Sequence, residues 1–72
     1  MISYSPLWAT MKVRGATTYT LQAKGGISSS TVRRLKAGES VSTNTLDALC
    51  QLLGCSLSDI IEYIPNEKQH RE

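Results

Sequence analysis

The first turn of a helix leaves backbone N–H groups without partners, and a Ser or Thr side chain that accepts from them marks where a helix can begin. When the residues just before that hydroxyl and four after it are both apolar, they close over the cap and fix the entry angle. This chain of 72 residues writes the pattern three times: Ile27-Ser28 with Val32, Val41-Ser42 with Leu46, and Cys55-Ser56 with Ile60. Ala16-Thr17 with Leu21 is a weaker copy, and Ser5 followed by Pro6 puts a proline at the first helical position, where its missing donor costs nothing. Gly15, the Gly25-Gly26 pair, Gly38 and Gly54 each fall one helix length after a start, and Pro65 closes the last segment. This punctuation predicts five helices, at about 6–14, 18–24, 29–37, 43–53 and 57–64, with a frayed polar tail over 66–72. No strand-like alternation competes, so the expected class is all-α.

Apolar spacing supports the helices. Leu46, Leu49, Cys50 and Leu53 recur at i, i+3, i+4 and i+7, as do Leu57, Ile60, Ile61 and Ile64, and these two stripes should form most of the core. Leu7, Trp8 and Met11 give the first helix its face, with Trp8 in the core or half-buried, and Leu21 anchors the second. In the third helix Val32 and Leu35 turn inward and leave the other side free. With 40% apolar residues the chain can fill one small core and not two, so residues 1–72 are expected to form a single domain. No apolar run reaches the roughly 18 residues of a membrane span. The start, Met1-Ile2-Ser3-Tyr4-Ser5-Pro6, lacks the basic and continuously apolar stretches of a secretory signal. A cytoplasmic protein with no membrane partner is expected.

The net charge of +2 conceals an asymmetry. Lys12, Arg14, Lys24, Arg33, Arg34 and Lys36 all precede the first acid, Glu39, so residues 1–38 carry +6. From Glu39 onward six acids face only Lys68 and Arg71, a balance of −4. A basic half of this kind suits a polyanion, although a merely solvated basic face would carry the same charges. Chemistry has little to stand on. The one histidine, His70, lies in the polar tail, and no P-loop, GxGxxG or GxSxG pattern occurs. Cys50 and Cys55 are too close in sequence to staple the fold, supply no four-ligand metal set with a single histidine, and read as inert thiols. No enzyme activity, catalytic residue, cofactor, metal or small-molecule substrate is expected.

The second and third helices are short and joined by Lys24-Gly25-Gly26-Ile27, and together they have the span of a helix-turn-helix unit. Thr17, Leu21, Gly26-Ile27-Ser28, Val32, Leu35 and Gly38 stand in an order that resembles the Cro/C1-type (XRE-like) helix-turn-helix. The following Val41-Ser42, Thr45-Leu46, Leu49-Cys50, Leu53-Gly54-Cys55 and Asp59-Ile60-Ile61 resemble the small single-domain regulators of that family, and the likeness runs from residue 4 to residue 65. The resemblance implies a five-helix, lambda repressor-like domain whose third helix enters the major groove of double-stranded DNA, and a role as a transcriptional regulator, specifically a repressor.

Helical geometry turns Ser29, Ser30, Arg33, Arg34 and Ala37 outward once Val32 and Leu35 face the core. Serines near a helix start can approach base edges or phosphates, and an arginine fork can take guanine O6 and N7 together. Matching the family's motif onto this chain implies base contacts from Ser29, Ser30 and Arg34, with Arg34 the main reader. It implies phosphate contacts from Thr18, at the start of the second helix, and from Thr43 and Asn44, at the start of the fourth, with Arg33 and Lys36 adding charge. The chain departs from the pattern at Thr18 and Gln22, where many relatives have Gln and Ala. It also has Met11 and Lys36 where relatives often pair an Arg with a Glu, which leaves Lys36 free for phosphate.

One such module buries only about 600–1,000 Å² on DNA, so a homodimer on half-sites about 34 Å apart is expected, with the fifth helix and Tyr63-Ile64-Pro65 as its contact. The alternative reading is a protein-interaction module, such as an antitoxin-like or anti-repressor partner built on the same fold.

Overall fold

The computed structural model describes residues 1–65. Four α-helices follow a two-residue strand: β1 (Ile2–Ser3), α1 (Ser5–Arg14), α2 (Thr18–Ala23), α3 (Ser29–Ala37) and α4 (Thr43–Leu53). A single 3-10 turn (Leu57–Asp59) and a second two-residue strand, β2 (Glu62–Tyr63), complete the described chain. The expected tail over 66–72, with His70, lies outside the described residues.

The caps are where the hydroxyls stand. Ser28 Oγ accepts from the Thr31 N–H at 3.2 Å and Ser42 Oγ from the Thr45 N–H at 3.2 Å. Thr17 does more than a weak copy would, because Thr17 and Thr20 cap each other: each side chain accepts from the other's backbone N–H, at 3.4 and 3.1 Å. At the front the helix starts one residue earlier than expected. Tyr4 is the cap residue and Pro6 falls at the second helical position. The Leu7 N–H donates to the Tyr4 carbonyl at 2.9 Å, while Ser3 Oγ accepts from the Ser5 N–H at 3.1 Å. Gly15, Gly38 and Gly54 end their helices in the left-handed conformation.

Among the described residues the expected fifth helix does not form: the domain is mostly helical, as expected, but with four α-helices and a small antiparallel clasp. Only one turn forms after Ser56, whose N–H and Oγ both donate to the Asp59 carboxylate, at 3.2 and 3.1 Å. Beyond it Ile60-Ile61-Glu62-Tyr63-Ile64 is β-branched or aromatic at every position but Glu62, a composition that loses side-chain freedom in a helix and packs well on a pleated strand. Pro65 also disfavours the helical conformation for Ile64. The segment instead extends and pairs with the N-terminus, Ile2 opposite Tyr63 and Ser3 opposite Glu62. Met1 and Ile64 exchange two further backbone bonds, with the N-terminal ammonium donating to the Ile64 carbonyl at 2.6 Å and the Ile64 N–H to the Met1 carbonyl at 2.8 Å.

One hydrophobic cluster joins the elements: Tyr4, Leu7, Met11, Leu21, Ile27, Val32, Leu35, Leu49, Leu53 and Ile60 are buried. The expected core residues of α1 to α4 are all there, with Trp8, Leu46 and Cys50 partly buried around it. The second predicted stripe fails with its helix. Of Leu57, Ile60, Ile61 and Ile64, only Ile60 is fully enclosed, and Leu57 and Ile64 are exposed. Tyr4, which no helical stripe includes, is buried and donates its hydroxyl to the Glu39 carbonyl at 2.7 Å, tying the N-terminus to the loop after α3.

Candidate nucleic-acid interface

The turn between α2 and α3 sets how α3 is presented. Gly26 adopts φ +67°, a conformation that an L side chain resists, and lets the chain reverse before the Ser28 cap. Gly25 is needed for space: a Cβ there would lie 2.7 Å from the Leu21 carbonyl oxygen and 2.9 Å from Leu52 Cδ2. Ile27 and Val32 then bury together, and Leu35 follows one turn later. Gln22, where relatives often carry Ala, is exposed, so the longer side chain enters solvent instead of the α2–α3 contact.

With Val32 and Leu35 in the core, Ser29, Ser30, Arg33, Arg34, Lys36 and Ala37 are all exposed, and no other segment covers them. Ser30 Oγ meets only Ser28 Oγ, at 3.1 Å, a local contact at the helix start. Among the described residues Arg33, Arg34 and Lys36 have no side-chain hydrogen-bond partner in the protein. Shallow grooves border α3, two of them at its opposite ends. The larger, of about 500 Å³, runs between α1, the start of α2 and the end of α3, and Trp8, Met11, Lys12, Ala16, Thr18 and Lys36 line it. The smaller, of about 280 Å³, brings Asn44 beside Ser28 and Thr31 at the other end of α3. Thr18 and Lys36 therefore share one groove and Asn44 borders the start of α3. Thr43 is exposed at the start of α4 and lines neither groove.

Not every cation of the basic half faces solvent unengaged. Arg14 Nη2 donates to the Gly54 carbonyl at 3.1 Å, placing its charge at the negative end of α4, where it stabilises that helix. Lys12 shares a groove with Thr18 and Lys36, a placement the sequence analysis did not assign; its spacing of four from Trp8 on one helix was the available signal. Cys50 and Cys55 are free thiols at the end of α4. Burial pushes the Cys55 thiol above its ordinary value, with Cys50 and the Asp59 carboxylate adding to the rise and Arg14 opposing it. A raised thiol holds little thiolate, the reactive form. Among the described residues no group of three His, Cys, Asp or Glu side chains is placed to hold a metal ion, and no helix is long and apolar enough to cross a membrane.

Two short helices joined by a glycine turn, the second with an uncovered polar and basic face, define a helix-turn-helix protein. The family model of the Cro/C1-type HTH DNA-binding domain matches residues 6–66. The crystal structure of the transcriptional regulator VanUg (Form II) is similar, with 37% sequence identity and a TM-score of 0.83 over 90% of this chain and 87% of that one. No curated protein matches. The chain belongs to the Cro/C1-type HTH DNA-binding domain family.

Proposed function

We propose that this protein is a sequence-specific double-stranded DNA-binding regulator that represses transcription by occupying an operator. The observation that carries the reading is the open face of α3, on which Ser29, Ser30, Arg33 and Arg34 stand exposed with Val32 and Leu35 anchored beneath. Ser29, Ser30 and Arg34 read base edges in the major groove, Arg34 as a fork onto a guanine. Thr18, Arg33, Lys36, Thr43 and Asn44 hold the flanking phosphates and fix the register. The protein acts by binding, with no chemistry of its own. The family match and the likeness to a transcriptional regulator support this reading over an interaction module for another protein.

The working unit is a homodimer, since a single module of this size buries too little on DNA for tight binding. With the fifth helix absent, the contact moves to the β1–β2 end, where Met1, Ile2, Tyr63 and Ile64 are exposed together. Selection of bound sites from a random duplex pool tests the proposal. It should return a palindromic site whose half-sites lie about one helical turn apart, and a mobility-shift titration on it should weaken steeply between about 50 and 200 mM salt. Failure to enrich any sequence, with salt-insensitive binding, would refute it.

A further inference from the structure

We propose that the groove between α1 and α3 seats a deoxyribose–phosphate unit of the bound duplex, which makes Lys12 a phosphate ligand and Trp8 the surface on which the sugar packs. The inference rests on the DNA-binding reading and extends its footprint onto α1. The groove has an apolar floor, formed by half-buried Trp8 and Ala16 over buried Met11, and a cationic rim of exposed Lys12 and Lys36. No acidic residue lines it. An apolar strip edged by two lysines complements a backbone that alternates an apolar sugar face with an anionic phosphate. The groove is also continuous with the α3 face, because Lys36 belongs to both, and Thr18 at the start of α2 lines it as well. It is open along its length, unlike the enclosed cavities that surround most of a small ligand, so an extended chain suits it better.

The sequence explains why this groove is basic and apolar at once. Met11 and Lys36 stand where relatives often carry an Arg and a Glu. The methionine sinks into the core as floor, and the lysine adds a positive charge at the rim. Lys12, one residue further along α1, is exposed on the other side.

The chain's single tryptophan makes the proposal directly testable, since its emission reports on this groove. The full-length protein is titrated with the duplex recovered by site selection, following Trp8 emission and mobility shift together at several salt concentrations. Trp8 emission should change in step with the shift. Lys12→Ala should reduce the slope of log affinity against log salt by about 0.9, which is about eightfold in affinity at 0.1 M relative to 1 M salt, equally on every sequence. Lys12→Arg should restore the slope. Lys24→Ala, which removes an exposed cation that does not line the groove, should change it far less. Silent Trp8 emission on a bound duplex, or equal losses from Lys12→Ala and Lys24→Ala, would overturn the groove assignment while leaving the DNA-binding reading intact. If the wild-type chain shifts no duplex at any salt, that reading falls, and this inference with it.

Discussion

Gly25 and Gly26 are adjacent and both lie in the turn that sets α3 against α2, yet they are glycine for different physical reasons, and substitution should separate them. At Gly25 an added Cβ would meet the Leu21 carbonyl oxygen at 2.7 Å and Leu52 Cδ2 at 2.9 Å. The leucine tip can move; the carbonyl cannot do so freely, because it accepts from the N–H groups of Gly25 and Ile27, each at 3.1 Å. Gly25→Ala therefore forces the turn away from the end of α2, an overpacking cost of about 1–3 kcal/mol. At Gly26 nothing lies within 4 Å of the added Cβ, and the obstacle is φ +67° alone, which costs an alanine about 1–2 kcal/mol. Replacing either glycine also stiffens the unfolded chain by a similar amount, which drops out of the comparison. The two ranges overlap, but the response to asparagine does not. Asparagine visits the left-handed region more readily than alanine, so Gly26→Asn should recover part of the Gly26→Ala loss. At Gly25 the larger side chain should recover nothing. Urea denaturation of the four variants measures this, and in a chain this short each kcal/mol should move the melting temperature by about 4–8 °C. Full stability of Gly25→Ala, or an asparagine rescue at Gly25 equal to that at Gly26, would refute the close approach.

Arg34→Ala should cost about 1–3 kcal/mol of DNA affinity and relax selection at one base pair per half-site; equal losses on all sequences would make Arg34 a phosphate ligand instead. Tyr4→Phe removes the hydroxyl that donates to the Glu39 carbonyl at 2.7 Å and should destabilise the fold by about 0.5–1.5 kcal/mol, read as a fall in melting temperature. Cys55, whose thiol is raised by burial, should alkylate more slowly than a cysteine in an unfolded peptide at mildly alkaline pH. The same shift carries a sign for stability. The folded chain holds the thiol proton to higher pH than the unfolded chain, so this contribution is intact below the ordinary thiol value and is lost as pH rises through the raised one. A Cys55→Ser variant should flatten that alkaline decline.

The part of the fold legible in the sequence is the part governed by contacts a few residues apart. Caps at Thr17, Ser28 and Ser42 bond groups three positions on, and the glycine stops act on their own backbone, so α2, α3 and α4 fall within a residue of where punctuation puts them. The failure after Gly54 has the opposite cause. Leu57, Ile60, Ile61 and Ile64 keep helical spacing, but the competing structure is a strand whose partner, Ile2–Ser3, lies some sixty residues away. Only the residue types argued for it: the run from Ile60 to Ile64 is β-branched or aromatic except at Glu62 and ends against a proline, a preference that outweighed the periodicity. Tyr4 escaped notice for a related reason, since its hydroxyl partner is in the loop after α3.

The candidate interface divides along the same line. Which side of α3 is free follows from Val32 and Leu35 alone, and the exposure of Ser29, Ser30, Arg33 and Arg34 needed no tertiary information. What the chain could not disclose is the company these residues keep. Arg14 and Lys12 are two positions apart on α1, and in sequence both are simply members of the basic half. In the folded chain Arg14 turns to the Gly54 carbonyl and stabilises the end of α4, whereas Lys12 turns to the groove that holds Thr18 and Lys36. Two positions on a helix are about 200° of rotation, enough to send one cation to the scaffold and the other toward the proposed DNA face. The charge asymmetry thus overstates the surface available to a polyanion at Arg14, while Lys12 stays on the side of the proposed DNA face. That difference is why the neutralised charge should be counted by the salt slopes of single variants instead of by the six cations of residues 1–38.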